Sequence, residues 1–145
     1  MVGPVRWVLL TYSIASEPAA PRVYVWRKLK RLGAILVDGA AWVLPGTPRT
    51  QEQFQWLAAE IAELGGEATL WEADATLAGQ SEALIAQFLA QVDDVYAGIL
   101  AELEGEDPDL VALSRRYQQE AVSDYFQSPL GLQVREKLVH ARGGR

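Results

Sequence analysis

Six basic side chains carry the most specific chemistry in this sequence. Arg22, Arg27, Lys28, Lys30 and Arg31 crowd into one short segment, and Arg49 follows downstream. Guanidinium groups grip phosphate and other tetrahedral oxyanions through a bidentate fork. Arg27 and Arg31 are four residues apart, one turn of a helix, so they can act on one anion or on two adjacent phosphates. The same spacing also describes a solvated helix face, and the sequence leaves both readings open.

Other chemistry has little material. There are no cysteines, which excludes disulfides, thiolate metal sites and a Cys nucleophile. The single histidine, His140, lies near the C-terminal end and reads as an exposed side chain rather than a general base. Ser13 and Ser16 have no histidine nearby in sequence. Asp93-Asp94 and the run Glu102, Glu104, Glu106, Asp107, Asp109 are the densest carboxylates, but the spacing of a calcium loop is absent, so they are expected to be solvated helix ends. Gly65-Gly66 ends a helix instead of opening a phosphate loop. No catalytic residue, metal site or cofactor is expected, and the protein is not expected to be an enzyme.

The elements that position the basic cluster follow from composition and periodicity. The chain has 145 residues, half of them apolar and 22% charged, the composition of one ordinary globular domain. Its net charge of −6 is segregated. Residues 1–50 carry seven Lys/Arg against Glu17 and Asp38, residues 51–109 carry fourteen acids and no Lys or Arg, and residues 110–145 carry six basic residues against three acids. An acidic protein is a poor non-specific nucleic-acid binder, yet a local basic face can still hold phosphates if the acidic segment folds away from it. Uninterrupted apolar runs fall short of the roughly 20 residues of a membrane span. The N-terminus lacks the layout of a signal peptide. These features predict a soluble, cytoplasmic protein with no membrane partner.

VRWVLLTYSI, residues 5–14, is apolar on both alternating faces and suits a central strand covered on both sides. A Pro-rich connector leads to a helix over 21–32, with Val25, Trp26, Leu29 and Leu32 on one side and Arg27, Lys28 and Arg31 on the other. Gly33 is placed as its C-terminal cap. Residues 34–44 are two short apolar runs joined by Asp38-Gly39, a pair that favours a type I′ hairpin turn. Thr50 with Gln53 predicts a capping box for a helix over 51–64, and 67–73 reads as a strand. The order β-α-β-β-α-β predicts a ferredoxin-like antiparallel sheet with both helices on one face, an α+β fold. Five tryptophans, Trp7, Trp26, Trp42, Trp56 and Trp71, are spread over these elements. Base stacking is one use for them, but filling the core is the expectation for most.

The remainder, residues 76–145, reads as a helical extension packed on the ferredoxin-like domain of residues 1–75. Ser81 caps a helix to about residue 104, Asp107-Pro108 starts a second to about Phe126, and Ser128-Pro129 starts a third to about residue 141. The open face of the sheet, or a second copy of the chain, is where their apolar stripes are expected to be buried.

Taken together, WVLLTYSI-x-SEP-x-x-PRV-x-VWRKLKRLGA, DGAAWVLPGTPRT, FQWLAAEI, LGGEATLWEA and RRYQQEAVSDYFQSPLG resemble the N-terminal domain of the ChrB family of chromate-resistance regulators. The resemblance implies a DNA-binding or assembly module that takes part in controlling a chromate efflux pump. Longer members carry a second, C-terminal domain that begins where this chain stops. The resemblance further implies chromate or another oxyanion as an effector; a homodimer is expected because a second copy could bury the helical stripes and double the basic face. The first 75 residues also resemble, more distantly, the C-terminal part of PaaX-type repressors and the ferredoxin-like nuclease subunit of CRISPR adaptation. That nuclease has a metal-binding Asp after the tyrosine of its first strand, whereas here Tyr12 is followed by Ser13. Two readings therefore stand first: a regulator touching DNA through Arg22, Arg27, Lys28, Lys30, Arg31 and Arg49, and an oligomeric scaffold or small-oxyanion binder with no DNA contact. A phosphodiester hydrolase is a distant third.

Overall fold

The computed structural model describes residues 5–143. In chain order the elements are β1 (Arg6–Ser13), α1 (Ala19–Arg31), β2 (Ile35–Val37), β3 (Ala41–Pro45), α2 (Pro48–Glu63), β4 (Glu67–Asp74), α3 (Gln80–Leu103), α4 (Leu110–Val122) and α5 (Pro129–Arg142). The four strands form one antiparallel sheet in the order β2-β3-β1-β4. That is the ferredoxin-like α+β arrangement, followed by three helices. The chain divides into two compact units at Ser81–Glu82.

In the first unit β1 is central, as its two apolar faces demand. Val8 pairs with Leu44 and Glu72, and Leu10 with Trp42 and Leu70. Gln51 on α2 donates to Glu72 at 2.9 Å, so Val8 and Leu10 lie on the face covered by the helices. Val25 and Leu29 of α1 and Phe54, Leu57 and Ile61 of α2 fill that side of the core. Trp7, Leu9 and Thr11 point to the opposite face. There Trp7 Nε1 donates to Ser81 Oγ at 3.1 Å, and Trp71 Nε1 donates to Thr11 Oγ1 at 3.2 Å.

Element boundaries differ from the sequence expectation where local chemistry decides them. α1 begins two residues earlier than expected, at Ala19, with Pro21 inside its first turn. α2 also begins earlier, at Pro48. Thr47 is its N-cap and Thr50 the reciprocating residue of the capping box, in place of Thr50 and Gln53. Thr50 is buried because its hydroxyl also donates to the Pro45 carbonyl at 2.6 Å. Asp38 and Gly39 both have positive φ, as a type I′ turn requires. The ladder, however, opens one residue later, pairing Val37 with Ala41, so Ala40 lies between the turn and the ladder. At Gly66, a Cβ would meet the Ser13 carbonyl oxygen at 2.6 Å and Ile61 Cγ2 at 2.9 Å, so only glycine fits the turn into β4.

In the second unit Val92, Tyr96, Ile99, Leu113, Val134 and Leu138 form one buried cluster. Asp109, not Asp107, caps α4, accepting from the Ala112 N–H at 3.1 Å, so this helix starts later than Asp107-Pro108 suggested. It also stops at Val122, short of Phe126. Phe126 and Tyr125 instead turn their rings to Phe88. Ser128 caps α5 with Pro129 in its first turn, as expected. Ser81 accepts from Trp7 and is not the N-cap of α3, which already includes Gln80. Among the described residues α3 alone is long and apolar enough, by length and composition, to cross a membrane. Counting uninterrupted apolar runs misses this, because Gln87, Gln91, Asp93 and Asp94 break the runs while the helix-wide mean stays high. Its Leu84, Phe88, Val92, Tyr96 and Ile99 stripe is buried in the protein.

A polar knot joins α3 to the turn before α5. Tyr96 Oη donates to Asp124 Oδ2 at 3.0 Å, the Ser128 N–H donates to Asp124 at 3.0 Å, and the Ser128 hydroxyl donates to Asp93. Asp93 is therefore a half-buried acceptor rather than a solvated helix residue, whereas Asp94 is exposed. Burial, the Asp124 bond and the charge of Asp124 push the Tyr96 hydroxyl well above its ordinary range. Burial and the Asp124 charge likewise raise Glu120.

Candidate nucleic-acid interface

α1 is held by Val25 and Leu29, both fully buried, so the opposite side of the helix must face solvent. Arg27 stands almost diametrically across from that pair on the helical wheel, flanked by Val23 and Lys30 on one side and by Arg31 and Tyr24 on the other. Arg22, Arg27, Lys30, Arg31 and Arg49 are exposed, and Lys28 is half-buried. The basic residues at the C-terminal end of α1 also complement the helix dipole.

The cluster is not uniform. Lys28 Nζ lies 4.0 Å from Glu60 on α2, and Tyr24 Oη donates to the same carboxylate. That bond, more than burial, raises the Tyr24 pKa. Lys28 is thus partly neutralised and serves to clamp α1 to α2. Arg22 stands at the start of α1, where its charge acts on Tyr12 and opposes the upward shift that burial gives that phenol. The remaining cations share the other end. The antiparallel pairing of β2 with β3 brings the end of α1 and the start of α2 to the same end of the sheet. Arg27, Lys30 and Arg31 are therefore on the side where Arg49 opens α2. Among the described residues, neither Arg27, Lys30, Arg31 nor Arg49 has a carboxylate within 4 Å. Glu60 partly neutralises Lys28 and leaves this group unpaired.

Most of the tryptophans were expected in the core, and the structure overturns that. Trp7 and Trp42 are buried, but Trp26, Trp56 and Trp71 are 52%, 67% and 53% exposed. The cause is geometric. Val25 and Leu29 already fill the contact between α1 and the sheet, and Trp26 falls on the rim of that stripe. Phe54, Leu57 and Ile61 do the same for α2 and leave Trp56 on its flank beside Glu60. The outer surface of the helical layer thus alternates cations with aromatic rings: Lys30 Nζ lies 5.8 Å from the Trp26 ring, and Lys28 Nζ 5.5 Å from the Tyr24 ring. A periodicity reading could have flagged Trp26 only by noticing that the stripe is complete without it.

No group of three or more His, Asp or Glu side chains placed to hold a metal ion occurs among the described residues. A family model described as Protein ChrB, N-terminal, matches residues 22–101, a stretch that begins in α1 and includes α2 and most of α3. Protein ChrB of Cupriavidus metallidurans is 25% identical over 119 residues, covering 77% of this chain. The match covers 36% of that relative, so the chain spans little more than a third of its length. With more than half of its residues inside the family model, the chain belongs to the ChrB N-terminal family.

Proposed function

We propose that this chain is a cytoplasmic, non-enzymatic regulator module of chromate resistance that contacts duplex DNA through α1 and the start of α2. The observation that carries the reading is the group Arg27, Lys30, Arg31 and Arg49, exposed and without acidic partners in a protein of net charge −6. Unpaired guanidiniums at one end of a helical layer are a footprint for backbone phosphates. Trp26, beside Lys30, borders the footprint and can pack on sugars or exposed bases. Membership of the ChrB family supports a part in chromate resistance, and the resemblance supplies the regulatory role. Weak binding by a monomer is expected, because the acids of residues 51–109 repel DNA, and a homodimer would double the basic face.

The experiment is a mobility-shift titration on the DNA upstream of the protein's own gene, with and without chromate. A retarded complex that weakens steeply with salt supports the reading. A protein that binds neither that DNA nor an unrelated duplex at low salt refutes it and favours a scaffold or oxyanion binder. The same preparation should leave DNA and RNA intact with magnesium or manganese.

A further inference from the structure

A second basic site lies in the helical unit, in a shallow groove of about 180 Å³ between α4 and α5. Arg135 and Arg142 of α5 enter it from two turns apart, about 10.5 Å along the axis. Val139 stands between them and Leu138 lines the floor. Ser114, Tyr117 and Gln118 form the α4 wall.

Three observations point to a ligand. No carboxylate lines the groove, and among the described residues neither Arg135 nor Arg142 has one within 4 Å. The Ser114 hydroxyl is buried with no hydrogen-bond partner, where such a group ordinarily has one. The remaining lining is hydrophobic: Leu138, Val139 and the Tyr117 ring, with Val139 66% exposed. Two guanidiniums and the Gln118 amide make a surface rich in donors, which selects an acceptor-rich ligand. The aliphatic and aromatic walls then distinguish among anions. A bare inorganic ion would lose hydration to walls that return nothing, whereas an anion with an apolar body gains from covering them.

We propose that the α4–α5 groove binds a small organic anion, an oxyanion head on an apolar body, with the head on Arg135 and Arg142 and the body against Val139 and Tyr117. The site is independent of the α1 surface.

Isothermal titration of the full chain with phenyl phosphate, benzoate and inorganic phosphate tests this. Phenyl phosphate or benzoate should bind, the preferred one identifying the head, and inorganic phosphate should bind at least about tenfold more weakly. Arg135→Ala and Arg142→Ala should each weaken the preferred probe by about tenfold, the scale of one charge-assisted contact. Val139→Asp places a carboxylate at an exposed position inside the groove and should abolish binding while leaving the circular dichroism spectrum unchanged. Arg27→Ala with Arg31→Ala should not alter the titration, which separates this site from the DNA-binding reading. The proposal is overturned if inorganic phosphate binds as tightly as the organic probes. It is equally overturned if no probe binds at about 1 mM, or if binding survives both arginine substitutions.

Discussion

Arg27→Ala combined with Arg31→Ala is the sharpest perturbation of the α1 face. Each phosphate neutralised on B-DNA contributes about 0.9 to the slope of log affinity against log salt. Four unpaired cations, Arg27, Lys30, Arg31 and Arg49, set a wild-type slope of about −3.6 per protomer. Removing two should reduce it to about −1.8. Between 50 and 200 mM salt, wild-type affinity should then fall by about 150-fold and the double variant's by about 12-fold. Stability should hardly change, because neither side chain is buried or paired and exposed substitutions usually cost about 0.5 kcal/mol or less. Lys28→Ala is the contrasting variant. It breaks the Glu60 contact, so it should lower stability slightly and alter the slope by less than either arginine. Fluorescence anisotropy on labelled duplex at five or more salt concentrations reads the slopes, and urea unfolding reads the stability. An unchanged slope in the double variant would refute the argument that these guanidiniums meet phosphate, whatever the absolute affinity.

The tryptophan assignment is tested by stability alone: Trp56→Ala should cost about 0.5 kcal/mol or less, whereas Trp42→Ala should cost about 3–5 kcal/mol in urea unfolding. Gly131→Ala should destabilise by about 1–3 kcal/mol through overpacking, despite alanine's higher helix propensity, because the added Cβ would meet the Tyr96 ring at 2.6 Å. Glu120→Gln should raise the melting temperature at neutral pH. Burial and Asp124 lift its folded pKa above the unfolded value near 4.5, so its charge opposes folding at pH values above that folded pKa. The gain should vanish once the pH falls below about 4, where the carboxyl is protonated in both states.

The order of elements through β4 was legible because each carries its own local signal. The two-sided apolar run of β1 requires a central position, and the basic face of α1 follows from Val25 and Leu29 alone. The boundaries were less legible where two chemically equivalent starts compete. Thr47 and Thr50 both suit an N-cap, and the choice falls to Thr47, whose hydroxyl accepts from the Thr50 N–H while the Thr50 hydroxyl accepts from the Thr47 N–H and donates to the Pro45 carbonyl. Asp107 and Asp109 compete in the same way before α4, and the Asp109 side chain is the one that reaches a free N–H of the first turn. These outcomes depend on where a carbonyl or N–H ends up in three dimensions, which sequence spacing does not encode.

The site divides along the same line. That Arg27 and Arg31 share a face is a property of helical period and could be read directly. That Lys28 differs from them is not, since its partner Glu60 lies thirty-two residues away and is brought near only by the packing of α1 against α2. The tryptophans make the converse point. Their size argued for the core, but a core accepts only what its contacts have room for, and aliphatic and phenyl side chains already fill the contacts of α1 and α2 with the sheet. Trp26, 52% exposed beside Lys30, and Trp56, 67% exposed, are costly to solubility and give little to packing. Their presence on the same outer layer as four unpaired cations is what the proposed DNA contact would account for and a merely solubilising face would not.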